Sequence, residues 1–242
     1  MTRTSPIPVG VALGTIGLEG DAWLRAAALL ATAPIDRLWI WDHLMGRGAP
    51  DRPVLEGTTL AAAALAQNPN LRVGTLVLDV TKRHPALTAK IAATLDAIAP
   101  GRFTLGIGAG GDAAEHDALG MPYGEVGERI AALSEQVAVA RAMLSGDPSE
   151  RLTLTTPGSL NGAASAPRPG ARLRLLIAGD HPSSISLAAS FADEWVAPAE
   201  TFAAGLAQLR EREGATGRAE PLVRTHLLHQ LSASERLLDS PF

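Results

Sequence analysis

Residues 71–115 read LRVGTLVLDVTKRHPALTAKIAATLDAIAPGRFTLGIGAGGDAAE, and the order of patterns within this stretch sets the architecture. Leu71–Leu78 and Arg102–Ile107 are short apolar runs with little polar alternation, the pattern of strands covered on both faces. Between them, Pro85–Ala99 places Leu87, Ile91, Leu95 and Ile98 at helical spacing. Pro85 suits a first helical turn, and Pro100-Gly101 stops the helix. Strand, crossover helix and strand make a βαβ unit, and such a unit requires a parallel sheet.

The pattern repeats outward from this unit. Upstream, Val9–Leu13 is a candidate strand, Ala22–Ala33 a helix capped by Asp21, Leu38–Trp41 a strand, and Thr58–Gln67 a helix capped by Thr58 or Thr59. Downstream, Asp112–Leu119 reads as a short helix and Glu128–Leu144 as a long amphipathic one. Residues 145–172 are rich in Pro and Gly and form an irregular excursion. Leu173–Ile177, Glu194–Ala197 and Leu222–His229 are further strands, separated by helices at Ser183–Phe191 and Phe202–Glu213. Seven strand signals alternate with helices over 242 residues, a length that suits a single (β/α) barrel domain, shortened from the usual eight units.

Composition narrows the function classes. The net charge of −4 argues against a nucleic-acid-binding face. Cys is absent, which excludes a disulfide framework, a thiolate nucleophile and Cys-based metal sites. No apolar run reaches the roughly 20 residues of a membrane span, and the N-terminus lacks a secretory core, so cytoplasmic residence is expected. Of the 21 basic residues only Lys82 and Lys90 are lysine.

In a (β/α) barrel the site forms at the carboxyl ends of the strands. That rule selects Gly14-Thr15, Trp41-Asp42-His43, Leu76–Asp79, Gly108–Gly111, Gly179–His181 and Pro198, with His229-Gln230 as a further candidate. An imidazole at a strand end can move protons at neutral pH. Asp42 shapes the site or orients the loop. The glycines of GIGAGG permit close backbone approach to a ligand, although they do not satisfy a dinucleotide-binding fingerprint. Asp180 is an awkward neighbour for a phosphate and reads equally as an N-cap. His84 sits at the pocket rim or caps the helix that follows. No His, Asp or Glu cluster shows metal-ligand spacing, so no metal is expected.

The central stretch, with Glu115-His116 and Val126-Gly127-Glu128-Arg129 behind it, resembles the luciferase-like monooxygenase superfamily. The likeness extends to LWIWDHLMG at Leu38–Gly46 and RLLIAGDHPSSISLAASFADEWV at Arg174–Val196. The superfamily holds flavin-dependent monooxygenases and F420-dependent oxidoreductases on TIM barrels. The resemblance implies coenzyme F420, with FMN as the alternative, a small-molecule substrate and a homodimer. It implies Asp42 and His43 beside the deazaflavin ring and a non-proline cis bond at Leu76–Val77, next to Thr75. It further implies cofactor contacts from Gly108, Ala109, Gly110 and Gly111 and from Ala178, Gly179 and Asp180. F420-dependent glucose-6-phosphate dehydrogenases of the superfamily carry an acidic residue where this chain has Gly111. Three functions follow: an F420-dependent oxidoreductase, an FMN-dependent monooxygenase using O2, or a non-catalytic flavin-binding protein with a reduced barrel.

Overall fold

The alternation of apolar runs and helical periods produces a curled parallel sheet wrapped by helices. The computed structural model describes residues 8–46, 51–144, 167, 169, 173–217 and 222–226. Strand β1 (Val11–Leu13) leads through α1 (Gly20–Leu30) to β2 (Leu38–Ile40), then through α2 (Gly57–Gln67) to β3 (Val73–Thr75) and β4 (Leu78–Asp79). A 3-10 turn at Val80–Lys82 precedes α3 (Pro85–Ile98), β5 (Phe103–Gly108), α4 (Ala113–Ala118) and α5 (Val126–Leu144). The remaining elements are β6 (Arg174–Ala178), α6 (Pro182–Phe191), β7 (Glu194–Ala197), α7 (Ala199–Thr216) and β8 (Val223–His226). The order across the sheet is β1-β2-β3-β5-β6-β7-β8, with β4 also paired to β5. All of these pairings are parallel.

The seven strand positions expected from the sequence are therefore present, and the third is divided into β3 and β4. Among the described residues β1 and β8 do not pair, so the strands form a shortened, open barrel. The excursion at 145–172, apart from Pro167 and Pro169, and the tail after His226 lie outside the described residues.

Strand alternation gives the sheet two apolar faces. Leu38, Ile40, Val73, Leu105, Ile107, Ile177 and Trp195 point outward and pack with Trp23, Leu65, Leu95, Leu133 and Ile185 of the helices. Trp39, Leu176 and Val196 point inward and meet Leu76, Val77 and Ala178. Double coverage explains why the strands read as continuous apolar runs. At the amino ends of the strands the interior is closed by charge. Arg37 Nη1 donates to Glu194 Oε2 at 3.1 Å and to the Thr104 hydroxyl at 2.9 Å, while Glu194 also accepts from the Thr225 hydroxyl. Both partners of the ion pair are buried, and the guanidinium stacks 5.0 Å from the Trp39 ring.

The division of the third strand has a visible cause. β3 pairs with β5 through Val73–Phe103 and Gly74–Thr104, whereas β4 resumes at Leu78–Ile107. Between these pairs three residues, 75–77, thus oppose two, 105–106, the count of a bulge. The Thr75 side chain fills the gap in the ladder: its hydroxyl accepts from Gly106 N at 2.9 Å and donates to Gly106 O at 2.8 Å. The Leu76–Val77 peptide bond between the two half-strands is cis, as the resemblance implied.

Three caps differ from their sequence reading. The α1 N-cap is Glu19, and Asp21 lies in the first turn, paired with Arg25 at 2.6 Å. The α2 N-cap is Glu56, whose longer side chain reaches back to accept from Thr58 N at 3.0 Å and Thr59 N at 2.6 Å. Burial raises the cost of that carboxylate, but these hydrogen bonds outweigh it and hold its pKa below the ordinary value. The α6 N-cap is His181, not Asp180; its Nδ1 accepts from Ser183 N at 3.2 Å. His84 caps α3 in the same way. Among the described residues no helix is long and apolar enough to cross a membrane.

Candidate active site

The carboxyl ends of β2, β4 and β5 bring together side chains far apart in sequence. Asp42 follows β2 and is buried. Its Oδ2 accepts from Asp79 N at 2.8 Å and from Arg83 Nη1 at 2.7 Å, and its Oδ1 accepts from Arg83 Nη2 at 2.7 Å. A bidentate guanidinium pair of this kind fixes a carboxylate in both distance and plane. Burial opposes the charge on Arg83, but hydrogen bonding and attraction to Asp42 raise its pKa above the ordinary value. Asp42 thus orients the strand end, and its oxygens are committed to protein donors.

His43, next along the chain, is partly exposed, with 24% of its side-chain surface accessible. Its Nδ1 lies 3.2 Å from Glu115 Oε2 on α4, and the Trp41 ring meets it edge-on at a centroid separation of 6.3 Å. Glu115 is buried and also takes Lys82 Nζ at 2.8 Å. Asp112 caps α4 by accepting from Glu115 N at 3.1 Å. His43, Asp112 and Glu115 therefore offer ligand atoms within 4.8 Å of one another, a convergence that sequence spacing did not reveal. The Lys82 ammonium already balances Glu115, so the group reads as a hydrogen-bonded network.

A second buried network lies behind the first. Asp79 Oδ1 accepts from Thr81 N at 2.9 Å and meets the Thr81 hydroxyl at 2.6 Å. That hydroxyl lies 2.7 Å from His116 Nε2, and His116 Nδ1 lies 2.8 Å from the Asp112 carbonyl oxygen. His116 is fully buried, packed against Tyr123 with the ring centroids 4.8 Å apart and the planes tilted by 52°, and Arg129 lies over the Tyr123 ring at 4.1 Å.

The other expected site residues divide into three groups. Leu76, Val77, Gly108 and Ala178 meet on the inner face: a Cβ at Gly108 would lie 2.8 Å from Val77 Cγ2 and 3.5 Å from the Ala178 Cβ. Leu76, Val77 and Ala178 keep partial exposure above the Trp39, Leu176 and Val196 floor, so an apolar wall is open at the rim. Ala109 and Gly110 continue that rim. Gly110 has φ +81°, and a Cβ there would sit 2.7 Å from the Asp79 carboxylate, so it lets the loop close over Asp79. Gly111 is exposed, with open space on its Cβ side.

The second group is turned away. Thr75 is buried and its hydroxyl is fully engaged by Gly106, so its side chain does not reach the inner wall. Gly179 N–H donates to Val196 O at 3.0 Å and its carbonyl accepts from Trp195 Nε1 at 2.9 Å, which leaves no free Gly179 amide for a phosphate. The third group is Asp180 alone, exposed at the turn before α6.

Sequence reading passed over Lys82 as a site residue. One signal was present: in a chain whose basic residues are almost all arginine, a lysine beside the predicted strand end is unusual. Its side chain is 3% exposed and donates to the Asp42 carbonyl at 2.6 Å.

Comparison with known proteins places the chain in a family. A family model described as luciferase-like monooxygenase matches residues 5–236. An F420-dependent glucose-6-phosphate dehydrogenase of Beutenbergia cavernae is 34% identical over 163 residues, covering 66% of this chain and 46% of that protein. A pyrimidine monooxygenase RutA of Methylobacterium radiotolerans is 28% identical over 190 residues, 74% of this chain and 45% of that protein. The chain thus spans a little under half the length of these curated relatives. Among solved structures, an F420-dependent secondary alcohol dehydrogenase in complex with an F420-acetone adduct superposes with a TM-score of 0.78 at 20% identity, over 90% of this chain and 68% of that one. The parallel open barrel, the divided third strand and a family match across nearly the whole sequence lead to one conclusion: the chain belongs to the luciferase-like monooxygenase family.

Proposed function

We propose that this chain is an F420-dependent oxidoreductase that moves a hydride between the deazaflavin and a small organic substrate. The observation that carries the reading is the placement of a partly exposed imidazole, His43, at the same strand ends as an apolar wall of Leu76, Val77 and Ala178. An open apolar wall of this kind suits the face of a flat tricyclic ring, and the glycine-rich rim from Gly108 to Gly111 leaves room for its edge. Relatives named as F420-dependent favour this cofactor. Bound F420 would supply the carbon that gives or takes the hydride. The chain itself supplies position and proton handling. His43 holds or accepts the proton of the substrate oxygen, and Asp42, clamped by Arg83, sets where His43 stands. The wall excludes water from one side of the reacting centre.

The substrate class stays at small organic molecules. Gly111 offers no carboxylate at the rim, so the reading does not extend to glucose 6-phosphate. A second reading, an FMN-dependent monooxygenase, is supported by the relative named as a pyrimidine monooxygenase. Paired fluorescence titrations with F420 and FMN separate the two. Tighter binding of F420 is expected; binding of FMN without F420 would overturn the proposal. A His43→Ala variant should keep its F420 affinity within about threefold while losing most F420-dependent turnover, a loss of about 10²–10⁴ for a general acid–base group.

A further inference from the structure

Glu115 is the meeting point of four donors. Its Oε1 accepts from Leu44 N and from Met45 N, the latter at 3.0 Å. Its Oε2 faces Lys82 Nζ at 2.8 Å and His43 Nδ1 at 3.2 Å. Lys82 then reaches the Asp42 carbonyl at 2.6 Å. The backbone is therefore held on both sides of His43, at Asp42 by Lys82 and at Leu44 and Met45 by Glu115. The side chains of Lys82 and Glu115 are each 3% exposed, so water competes little for these bonds.

The protonation of this cluster follows from hydrogen-bond roles. Burial disfavours the Glu115 anion, but the bonds from Lys82, Leu44 N and His43, with the Lys82 charge, prevail and hold its pKa to about 2. An ionised carboxylate only accepts. The ring nitrogen that faces it must then be the one that carries hydrogen. In a neutral imidazole this leaves the other nitrogen with its lone pair. Among the described residues the His43 ring makes its one hydrogen bond through Nδ1.

We infer that Glu115, with Lys82 as its counter-ion, is a positioning residue that fixes neutral His43 as the Nδ1–H tautomer and presents Nε2 as the proton-accepting nitrogen. The consequence for catalysis rests on the functional reading above; the tautomer is a property of the chain alone. Glu115 touches neither substrate nor cofactor in this scheme. It acts by holding the ring plane, the tautomer and the adjoining backbone, and by stabilising the imidazolium that forms when Nε2 takes a proton.

The test is long-range ¹H–¹⁵N NMR on the full-length, cofactor-free chain, at a pH where the ring is neutral, with a His43→Gln variant to assign the signal. The wild type should show a pyrrole-type Nδ1 and a pyridine-type Nε2. Glu115→Ala, which removes the acceptor that faces Nδ1, should shift the population toward the Nε2–H tautomer. A wild-type spectrum with the proton on Nε2 overturns the inference without any variant, and so does an unchanged tautomer ratio in Glu115→Ala. If Glu115→Ala fails to fold, the wild-type spectrum decides alone. Failure of F420 to bind would remove the functional reading and leave the tautomer result standing, so the two are separable.

Discussion

Replacing Glu115 by glutamine should produce a pH-dependent loss of stability. The carboxyl is held at about 2 against an ordinary 4.5. At 1.36 kcal/mol per unit, the ionised form contributes on the order of 3 kcal/mol to folding. Because the folded-state pKa lies below the unfolded one, the contribution is complete above pH 4.5 and is lost as pH falls toward 2. In a chain of this size each kcal/mol moves Tm by about 2–4 °C, so Glu115→Gln should melt about 6–12 °C below the wild type near pH 7. By linkage the free-energy gap shrinks to under half by about pH 3, since the unfolded wild type then takes up a proton that glutamine cannot. Thermal melts of both proteins by circular dichroism across that range read the difference directly. A gap under about 2 °C at neutral pH, or one equally large near pH 3, would refute the reasoning.

Two further outcomes test the packing. Gly106→Ala places a Cβ against the Thr75 carbonyl oxygen, a backbone atom that cannot swing aside, so about 1–3 kcal/mol or more should be lost in urea unfolding; Gly111→Ala, with open space around it, should change stability by less than about 0.5 kcal/mol. Glu194→Leu removes the cross-barrel partner of Arg37, which keeps Asp36 at 2.6 Å, and should cost about 1.5–3 kcal/mol, with part of that recovered in Arg37→Met/Glu194→Leu; a loss below about 0.5 kcal/mol in chemical denaturation would mean that the pair does not close the barrel floor.

Much of the fold was legible because its determinants are local. Apolar runs bounded by Gly and Pro fixed the strands, and Pro85 with Pro100-Gly101 bounded α3, although Leu87 and Ile98 of its apolar run are exposed and Ala89, Ala92 and Leu95 lie on its buried face. Caps were less legible. Glu56 and His181 accept helix N–H groups with side chains that usually rank behind Ser, Thr, Asp and Asn, and only the approach of the chain to each helix selects them. The break in the third strand was carried by resemblance to a family; the alternation of LRVGTLVL gave no sign that Thr75 would replace a ladder bond.

The site shows the same division more sharply. Asp42 and His43 stood out because a polar pair at the end of an apolar strand must lie at the carboxyl rim. Their partners did not, since Lys82 and Arg83 are 40 and 41 positions from Asp42, and Glu115 is 72 from His43. Loop closure over such distances depends on strand order and register. By itself, then, the sequence determined the alternation of strand and helix, the parallel sheet and the strand ends that bear polar side chains, because those follow from periodicity and chain connectivity. Tertiary structure alone decided which acid meets which base, that Thr75 turns away from the interior and that Lys82 and Glu115 bracket His43, because these depend on where separate strands come to lie side by side.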